Sequence, residues 1–593
     1  MELTILAAYT AGAALLTVPL FRFKQRLELS KAKRWSLTGH ARLAHWIASL
    51  IPFYEYDEHR FFRSDNPPEN IAIQRLDGFQ RLSLIYRKRF VQTCALTDQV
   101  QSGASDLQFI SAYRVPFQYS RIVRQHLATG SILQSSDGTT VTDLDGNIMY
   151  DLANSYGVSL FGYDFYKECI ARGAERVRHL GPVLGSYHPI IAHNIERIRQ
   201  ISGMDEVSFH MSGTEAVMQA VRLARYHTRR SHLVRFCGAY HGWWGDVQPG
   251  IGNPSTASET YTLAEMSEHT LHVLRTRRDI ACVLVNPYQA LHPNSAPPAD
   301  SSLVDSGRTA QFDRQAYTHW LRQLRTVCTE RGIALIFDEI FVGFRLALGG
   351  AQEYFGVRAD LVTYGKTLGG GLPVGVLCGC HEWMMRYRED RPADVCLARG
   401  TFNAHPYVMG AMNEFLSRLE TPELLLFYEG QDEIWNKRAE RLNCLLGEAG
   451  LPVRVINLSS IWTVCYTRPS RYNWMLQYYL RAEGVALSWV GTGRLIFSLN
   501  YSDADFTAVC DRFLLAARTM EQDGWWWTGH ASTNTSIRRQ VLREILAQLL
   551  DTMRQSVRRK LLAQSAGNLV TRPPLRNQTA RRAEGRSAPD STA

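Results

Sequence analysis

Between residues 90 and 520, short apolar runs alternate with stretches whose apolar positions recur every three or four residues. "IACVLVNP" (280–287) and "IALIFDE" (333–339) are unbroken apolar runs of strand length, and "YTHWLRQLRTVCTERG" between them has helical spacing. A strand–helix–strand rhythm predicts an α/β fold with a mainly parallel sheet, because parallel strands need a crossover and the helices supply it. Near the C terminus, Leu542, Ile545, Leu546, Leu549, Met553 and Val557 recur at helical spacing. That predicts an amphipathic helix in the region 521–562. The Pro- and Arg-rich end, 563–593, predicts a disordered basic tail.

The other end carries a different pattern. "LTILAAYTAGAALLTVPLF" (3–21) has no charge and the length a bilayer-spanning helix needs. Arg22, Lys24, Arg26, Lys31, Lys33 and Arg34 follow, and such a basic cluster holds the rest of a chain in the cytoplasm. The segment lacks a basic start and a clear cleavage site, so it is not read as a secretory signal. Its threonines, Gly12 and Pro19 make it only moderately apolar. Two readings stay open. In one, residues 1–34 are an N-terminal helical anchor at the cytoplasmic face of a membrane; in the other, they are a packed or peripheral helix of a cytoplasmic protein. Residues 35–104, with the aromatic-rich "IPFYEYDEHRFF" and the loop-like "SDNPPEN", form an extension ahead of the main region at 105–520.

Composition narrows the possibilities. A chain of 593 residues exceeds one compact core, and 45% hydrophobic with 21% charged residues excludes a mainly disordered protein. The 11 cysteines form no CxxC pair, which argues against a zinc ribbon or disulfide scaffold, and no metal site is predicted. The net charge is +10, yet from Arg538 onward twelve Arg/Lys face four Asp/Glu, so the body is nearly neutral. No nucleic-acid partner is read from it. The basic end is either a solvated tail or a membrane-surface or partner-binding one.

Four stretches carry candidate chemistry. In "FHMSGTEAVMQAVRLARYHT" (209–228), Ser212 can cap a helix, and Gly213 and Thr214 open it with free backbone N–H groups, a natural phosphate site. In "CGAYHGWWGD", Tyr240 stands on a glycine-flanked turn where its ring can stack on a planar ligand. Asp338 ends a strand-like run, where ligands of open α/β sheets gather, and a buried carboxylate there needs a cationic partner. In "TYGKTLGGGLPVG" (363–375), Lys366 precedes a run of glycines, and a lysine in an apolar site becomes a nucleophilic amine. Each feature alone has an ordinary reading: a capped helix, a surface turn, an internal ion pair, a loop lysine. Together they are the parts a pyridoxal 5'-phosphate enzyme requires, with Lys366 as Schiff-base amine and general base and Asp338 as partner of the ring nitrogen.

"FDEIFVGFRLALGGAQEYFGVRADLVTYGKTLGGGLPVG" closely resembles the class III aminotransferases. "SGTEAVMQAVRLARYHT" and "GAYHGWWGD" look most like the glutamate-1-semialdehyde aminomutase branch and the aminotransferase domains embedded in polyketide and peptide synthases. The resemblance covers roughly 105–520. It implies a PLP-dependent transferase of fold type I: a large domain with helices on both faces of the sheet, a small α+β domain, and a homodimer with active sites at the subunit interface. By position, it implies Ser212, Gly213 and Thr214 at the phosphate, Tyr240 on the ring, Asp338 at the ring nitrogen and Lys366 as the Schiff-base lysine. It also implies that Thr401, in "ARGTFNAHP", reaches the phosphate of the neighbouring subunit's cofactor. The glycines after Lys366 are expected to let the backbone turn tightly beside cofactor and partner chain. Asn286 stands where many relatives carry Glu, and Phe341 where ornithine-type members have Gln, which bears on the amino donor. The expected reaction moves an amino group from a donor to a small-molecule or carrier- or lipid-linked carbonyl. The alternative is an aminomutase of the glutamate-1-semialdehyde type. A scaffold without catalysis is disfavoured by the intact Asp338–Lys366 pair.

Overall fold

The computed structural model describes residues 20–33, 40–112, 115–248, 258–287, 313–488, 493–529 and 532–567. Its centre is a seven-stranded sheet. In chain order the strands are β1 (Glu206–His210), β2 (His232–Phe236), β3 (Thr260–Leu263), β4 (Ile280–Val285), β5 (Ala334–Asp338), β6 (Leu361–Gly365) and β7 (Gly375–Gly379). They lie in the order β1-β7-β6-β5-β4-β2-β3. Strands β2 to β6 pair parallel, and β7 runs antiparallel to both β6 and β1. Helix Arg314–Arg331 crosses from β4 to β5, as the apolar spacing predicts.

Every residue of β4 to β7 is buried, as a sheet covered on both faces requires. The period of two sorts them. Cys282, Leu284 and Ile336 join Val217, Ala220 and Ala224 of helix Gly213–Thr228 in one core. Val283, Val285, Leu335 and Phe337 join Tyr317, Leu321 and Leu324 of helix Arg314–Arg331 in the other. The smaller domain holds a three-stranded antiparallel sheet (Val453–Leu458, Ile461–Tyr466, Arg494–Ile496) with helices Gln431–Glu448 and Asp503–Gln522. Beside it, strands Leu133–Asp137, Thr140–Asp143, Ile148–Asp151 and Val485–Ala486 form a second small sheet.

The N-terminal extension folds as helices Glu58–Arg63, Glu69–Arg89 and Val91–Gln101. It packs on the small domain: the Tyr86 hydroxyl donates to Tyr478 O (2.8 Å), and buried Arg75 bonds Asp65 (2.7 and 2.8 Å) and Gly524 O (2.9 Å). Trp525, of the unusual "DGWWW", is sealed against Phe61, Phe62 and Phe79, so this stretch closes a core within the chain. Helix Asn534–Gly567 runs five residues past the expected end at 562. It is fixed by Glu544, which accepts from Arg471 (2.8 and 3.0 Å) and Arg60 (2.8 Å). Of the stretch 3–21, only residues 20 and 21 lie within the described residues, where they open a helix over 20–31. Among the described residues no helix is long and apolar enough to cross a membrane. The basic tail beyond 567 also lies outside them.

Candidate active site

Asp338 closes β5, so its side chain emerges at the carboxyl end of the central parallel strand with only 3% of its surface exposed. The next residue, Glu339, turns away and accepts from the Ala351 and Gln352 amides (2.6 and 3.1 Å). Its full burial pushes its carboxyl up to about 8. The partner of Asp338 is His241: Nδ1 lies 2.7 Å from Oδ2 inside a fully buried pair. Burial lowers the proton affinity of His241, Asp338 works in the opposite sense, and the nearby Arg235 charge adds to the lowering. A neutral imidazole donating from Nδ1 satisfies the carboxylate while leaving its negative charge in place.

Residue 240, one position earlier, points the other way, and the Tyr240 ring is 66% exposed on its turn. Across from it, Ser212 caps helix Gly213–Thr228, its Oγ accepting from the Glu215 amide at 3.3 Å. The amides of Gly213 and Thr214 are thereby left at the open N-terminal end of a 16-residue helix. Glu215 reaches back to the Met211 amide (2.9 Å) and locks the entry turn. Two glycines pack this cradle. A Cβ at Gly375 would overlap the Ser212 carbonyl oxygen, and one at Gly242, whose φ is +91°, would overlap Thr214.

Lys366 follows β6 in the left-handed region (φ 45°), a strained conformation for lysine, and its Nζ lies 4.6 Å from the centre of the Phe341 ring. Burial lowers its pKa to about 8; Asp338 opposes that shift, and Arg494 and Arg345 reinforce it. The glycines after it turn tightly, as expected, but against this chain's own helix Pro406–Arg418. Gly370 (φ 61°) leaves no room for a Cβ beside Ala411 O, and Gly371 (φ 97°) packs on Tyr166 and Ile170. Thr401 is exposed on the loop before that helix, next to Phe402, which is also exposed. Asn286, just past β4, is buried, and its Oδ1 has no partner among the described residues.

Residues 122–248 and 313–516 match the family described as "Aminotransferase class-III". The chain belongs to the class III aminotransferases. This aminotransferase is 32% identical over 393 residues to a glutamate-1-semialdehyde 2,1-aminomutase of Desulfotalea psychrophila, covering 62% of the chain and 84% of that relative. It is also 32% identical over 354 residues to the enzyme of that name from Methanococcus maripaludis, covering 56% and 76%. A solved transaminase with PLP bound superposes with a TM-score of 0.55 at 26% identity, over 67% of this chain and 91% of that one. A glutamate-1-semialdehyde aminomutase from Pseudomonas aeruginosa shares the fold, with a TM-score of 0.60 at 17% identity over 76% and 99%.

The structure of this aminotransferase brings Asp338 and Lys366 together and adds residues that sequence reasoning left without a role. His241 lies beside Tyr240 in the quoted motif, yet nothing local announces its bond to an aspartate 97 residues away. Arg494 reaches the Phe341 ring from a distant segment, at 5.9 Å, and Arg345, four residues after Phe341, lies 5.7 Å from it. In "ANSYG", Asn154, Ser155, Tyr156 and Gly157 all have positive φ, and Gly157 abuts Phe341 with no room for a side chain.

Proposed function

We propose that Lys366 is the residue through which this PLP-dependent aminotransferase holds its cofactor. In this reading Asp338 faces the ring nitrogen, Tyr240 the ring, and the amides of Gly213 and Thr214, with Ser212, the phosphate. The donor set fits the group. A helix N-terminus suits a phosphate dianion, an exposed phenol ring suits a flat heterocycle, a buried anion suits a protonated nitrogen, and an amine suits an aldehyde. PLP supplies an electron sink for the carbon that carries the substrate's amino group. Asp338, oriented by its bond to His241 Nδ1, would meet that nitrogen with its carboxyl group. Lys366, freed when the substrate's amine takes its place and with its proton affinity lowered by burial, would accept the proton from that carbon. The carrying observation is that one buried site holds both Lys366 and Asp338, each acting on the other's charge.

The reaction is transfer of an amino group from a donor to a carbonyl acceptor. Aminomutation is the second reading, favoured by the names of the relatives and by an apolar Phe341 beneath the lysine. The test is the absorbance of the purified protein: a yellow band that Lys366→Ala abolishes, bleached by amines in a half-reaction. A colourless wild-type protein overturns the proposal. A free amino donor required for turnover selects transfer; rearrangement of a single substrate without one selects aminomutation.

The enzyme is read as a homodimer in which Thr401 serves the partner's phosphate site. The large exposed side chains of Trp243, Leu397 and Phe402, around the site and on its loop, support this reading. A monomer that retains full activity would refute it. Membrane association is read from the exposed Leu20, Phe21, Phe23 and Trp46 close to the basic cluster. Deleting residues 1–34 is expected to move the protein from the membrane fraction to the supernatant.

A further inference from the structure

The strained segment Asn154–Gly157 has two sides. Gly157 touches Phe341, the ring beneath Lys366. Ser155 and Tyr156 line a cavity of about 290 Å³ on its other side. That is at the low end for small-molecule pockets, roughly 300–1,000 Å³. Its lining is largely apolar, with Phe90, Ile132, Leu133, Val141, Met149 and Leu487. Phe90 and Thr93 come from the N-terminal extension, ahead of the residues that match the family.

One charged side chain in this lining has no direct ion-pair contact among the described residues, although the Asp151 charge acts on it from further off. Arg481 is 7% exposed, and among the described residues its side chain makes one hydrogen bond, from Nη2 to Leu487 O at 2.7 Å, while its buried Nε has no partner among them. Among the described residues no carboxylate lies within ion-pair distance of it, whereas buried Arg75 has Asp65 and buried Arg471 has Glu544. The two acids that line the cavity are engaged elsewhere. Asp143 accepts from the Asp145 and Asn147 amides (3.0 and 2.9 Å) and from Asn147 Nδ2 (2.8 Å). Asp151 accepts from the Ala153 amide (2.8 Å) and the Tyr163 hydroxyl, and burial pushes its carboxyl up towards the neutral form. A buried guanidinium without a counter-ion is costly unless an anion completes it.

We infer that this cavity is a substrate-tail site, in which an aliphatic chain lies against the apolar wall and ends in a carboxylate paired with Arg481. The inference rests on the aminotransferase reading for its meaning, since the tail then belongs to a molecule whose amine or carbonyl end lies on the Lys366 side of Tyr156. It assigns the N-terminal extension a part in substrate choice.

Octanoate, which has the tail chemistry and no amine, tests the cavity directly by isothermal titration of the holoenzyme. Wild type is expected to bind octanoate. Arg481→Gln is expected to weaken octanoate at least tenfold while leaving 1-octanol unchanged, and Arg481→Lys to retain most octanoate binding. Leu133 lies at the exposed rim, so Leu133→Trp narrows the cavity without touching the buried arginine and is expected to weaken both probes. The Leu133 variant decides alone if Arg481→Gln fails to fold. No octanoate binding to wild type, or equal binding in wild type and both weakened variants, overturns the inference. The two readings fail separately. A colourless protein that binds octanoate through Arg481 keeps the tail site and loses the cofactor, and a yellow protein indifferent to octanoate does the reverse.

Discussion

His241 and Asp338 form a sealed pair, Nδ1 to Oδ2 at 2.7 Å, beneath the position from which Tyr240 projects outward. In the proposed reading, adjacent residues of one turn address the flat cofactor in different ways, His241 through the carboxylate and Tyr240 through its ring. His241→Phe removes the donor and leaves the carboxylate supported only by the Ile340 amide (3.2 Å) and the Thr363 hydroxyl (3.4 Å). Losing a bond to a buried charged group costs about 1–3 kcal/mol. The amine half-reaction should slow roughly 10- to 100-fold, since each 1.4 kcal/mol is tenfold in rate. Stopped-flow absorbance checks this, with cofactor still bound. An unchanged rate would reduce His241 to packing.

Lys366 gives a pH prediction. Its pKa is lowered from the ordinary lysine value of 10.5 to about 8, burial being the main cause. The reactive neutral amine therefore appears as pH rises through about 8 rather than above 10. Capture of added pyridoxal phosphate by cofactor-free protein should accelerate with a midpoint near 8. Asp338 works against the lowering, so Asp338→Asn should move the midpoint further down. A midpoint near 10 in wild type would mean that the amine is solvated.

The parts of the site that share a short stretch with a strand or helix start were legible in the sequence. Asp338 sits at the end of an apolar run, Ser212 before a helical period, and Lys366 before glycines. The sheet followed from the same runs, since β4 and β5 are apolar throughout and the helix between them is amphipathic. What escaped depends on pairing across the fold. The His241–Asp338 bond, the packing of Phe61 on Trp525 and the exposure of Arg481 to a cavity join segments that carry no mutual spacing signal. The positive φ values at Asn154, Ser155 and Tyr156 escaped because contacts from remote Arg345, to Asn154 Oδ1 (3.0 Å) and Gly157 O (3.4 Å), join local bonds such as Asn154 Nδ2 to Ser159 O (2.7 Å) in holding that conformation.

Gly375 links the lysine motif to the Ser212–Thr214 helix start, the proposed phosphate site. A Cβ there would overlap backbone, the Ser212 carbonyl, which cannot rotate away. Gly375→Ala should cost roughly 2–4 kcal/mol and weaken cofactor retention by displacing the cap. Gly447, inside helix Gln431–Glu448 with nothing near its missing Cβ, is the control. Gly447→Ala should stabilise by about 0.5–1 kcal/mol through helix propensity. Urea denaturation of both variants, with phosphate release measured by dialysis, separates crowding at the cradle from a general glycine effect.

Glu544 ties the C-terminal helix to the body. It accepts from Arg471, whose side chain is almost fully buried, from Arg60 and from the Tyr56 hydroxyl. Burial alone would raise its carboxyl, but the Arg471 hydrogen bond and charge, with the Tyr56 and Arg60 bonds, hold it below the usual range. Glu544→Ala strands Arg471 without a counter-charge, a change that costs about 3–5 kcal/mol for a buried pair. Amides of helix Asn534–Gly567 should then exchange far faster while those of β4 to β6 hardly change. The sign of the pH effect follows from the lowered pKa. The Glu544 contribution is complete above the ordinary glutamate value of about 4.3 and disappears as pH falls through its lower folded value. Acid should release the helix before the sheet unfolds in wild type, and that separate step should be missing in Glu544→Ala, where the helix is already loose at neutral pH. Exchange profiles identical in the two proteins would show that the helix is held by its apolar face alone.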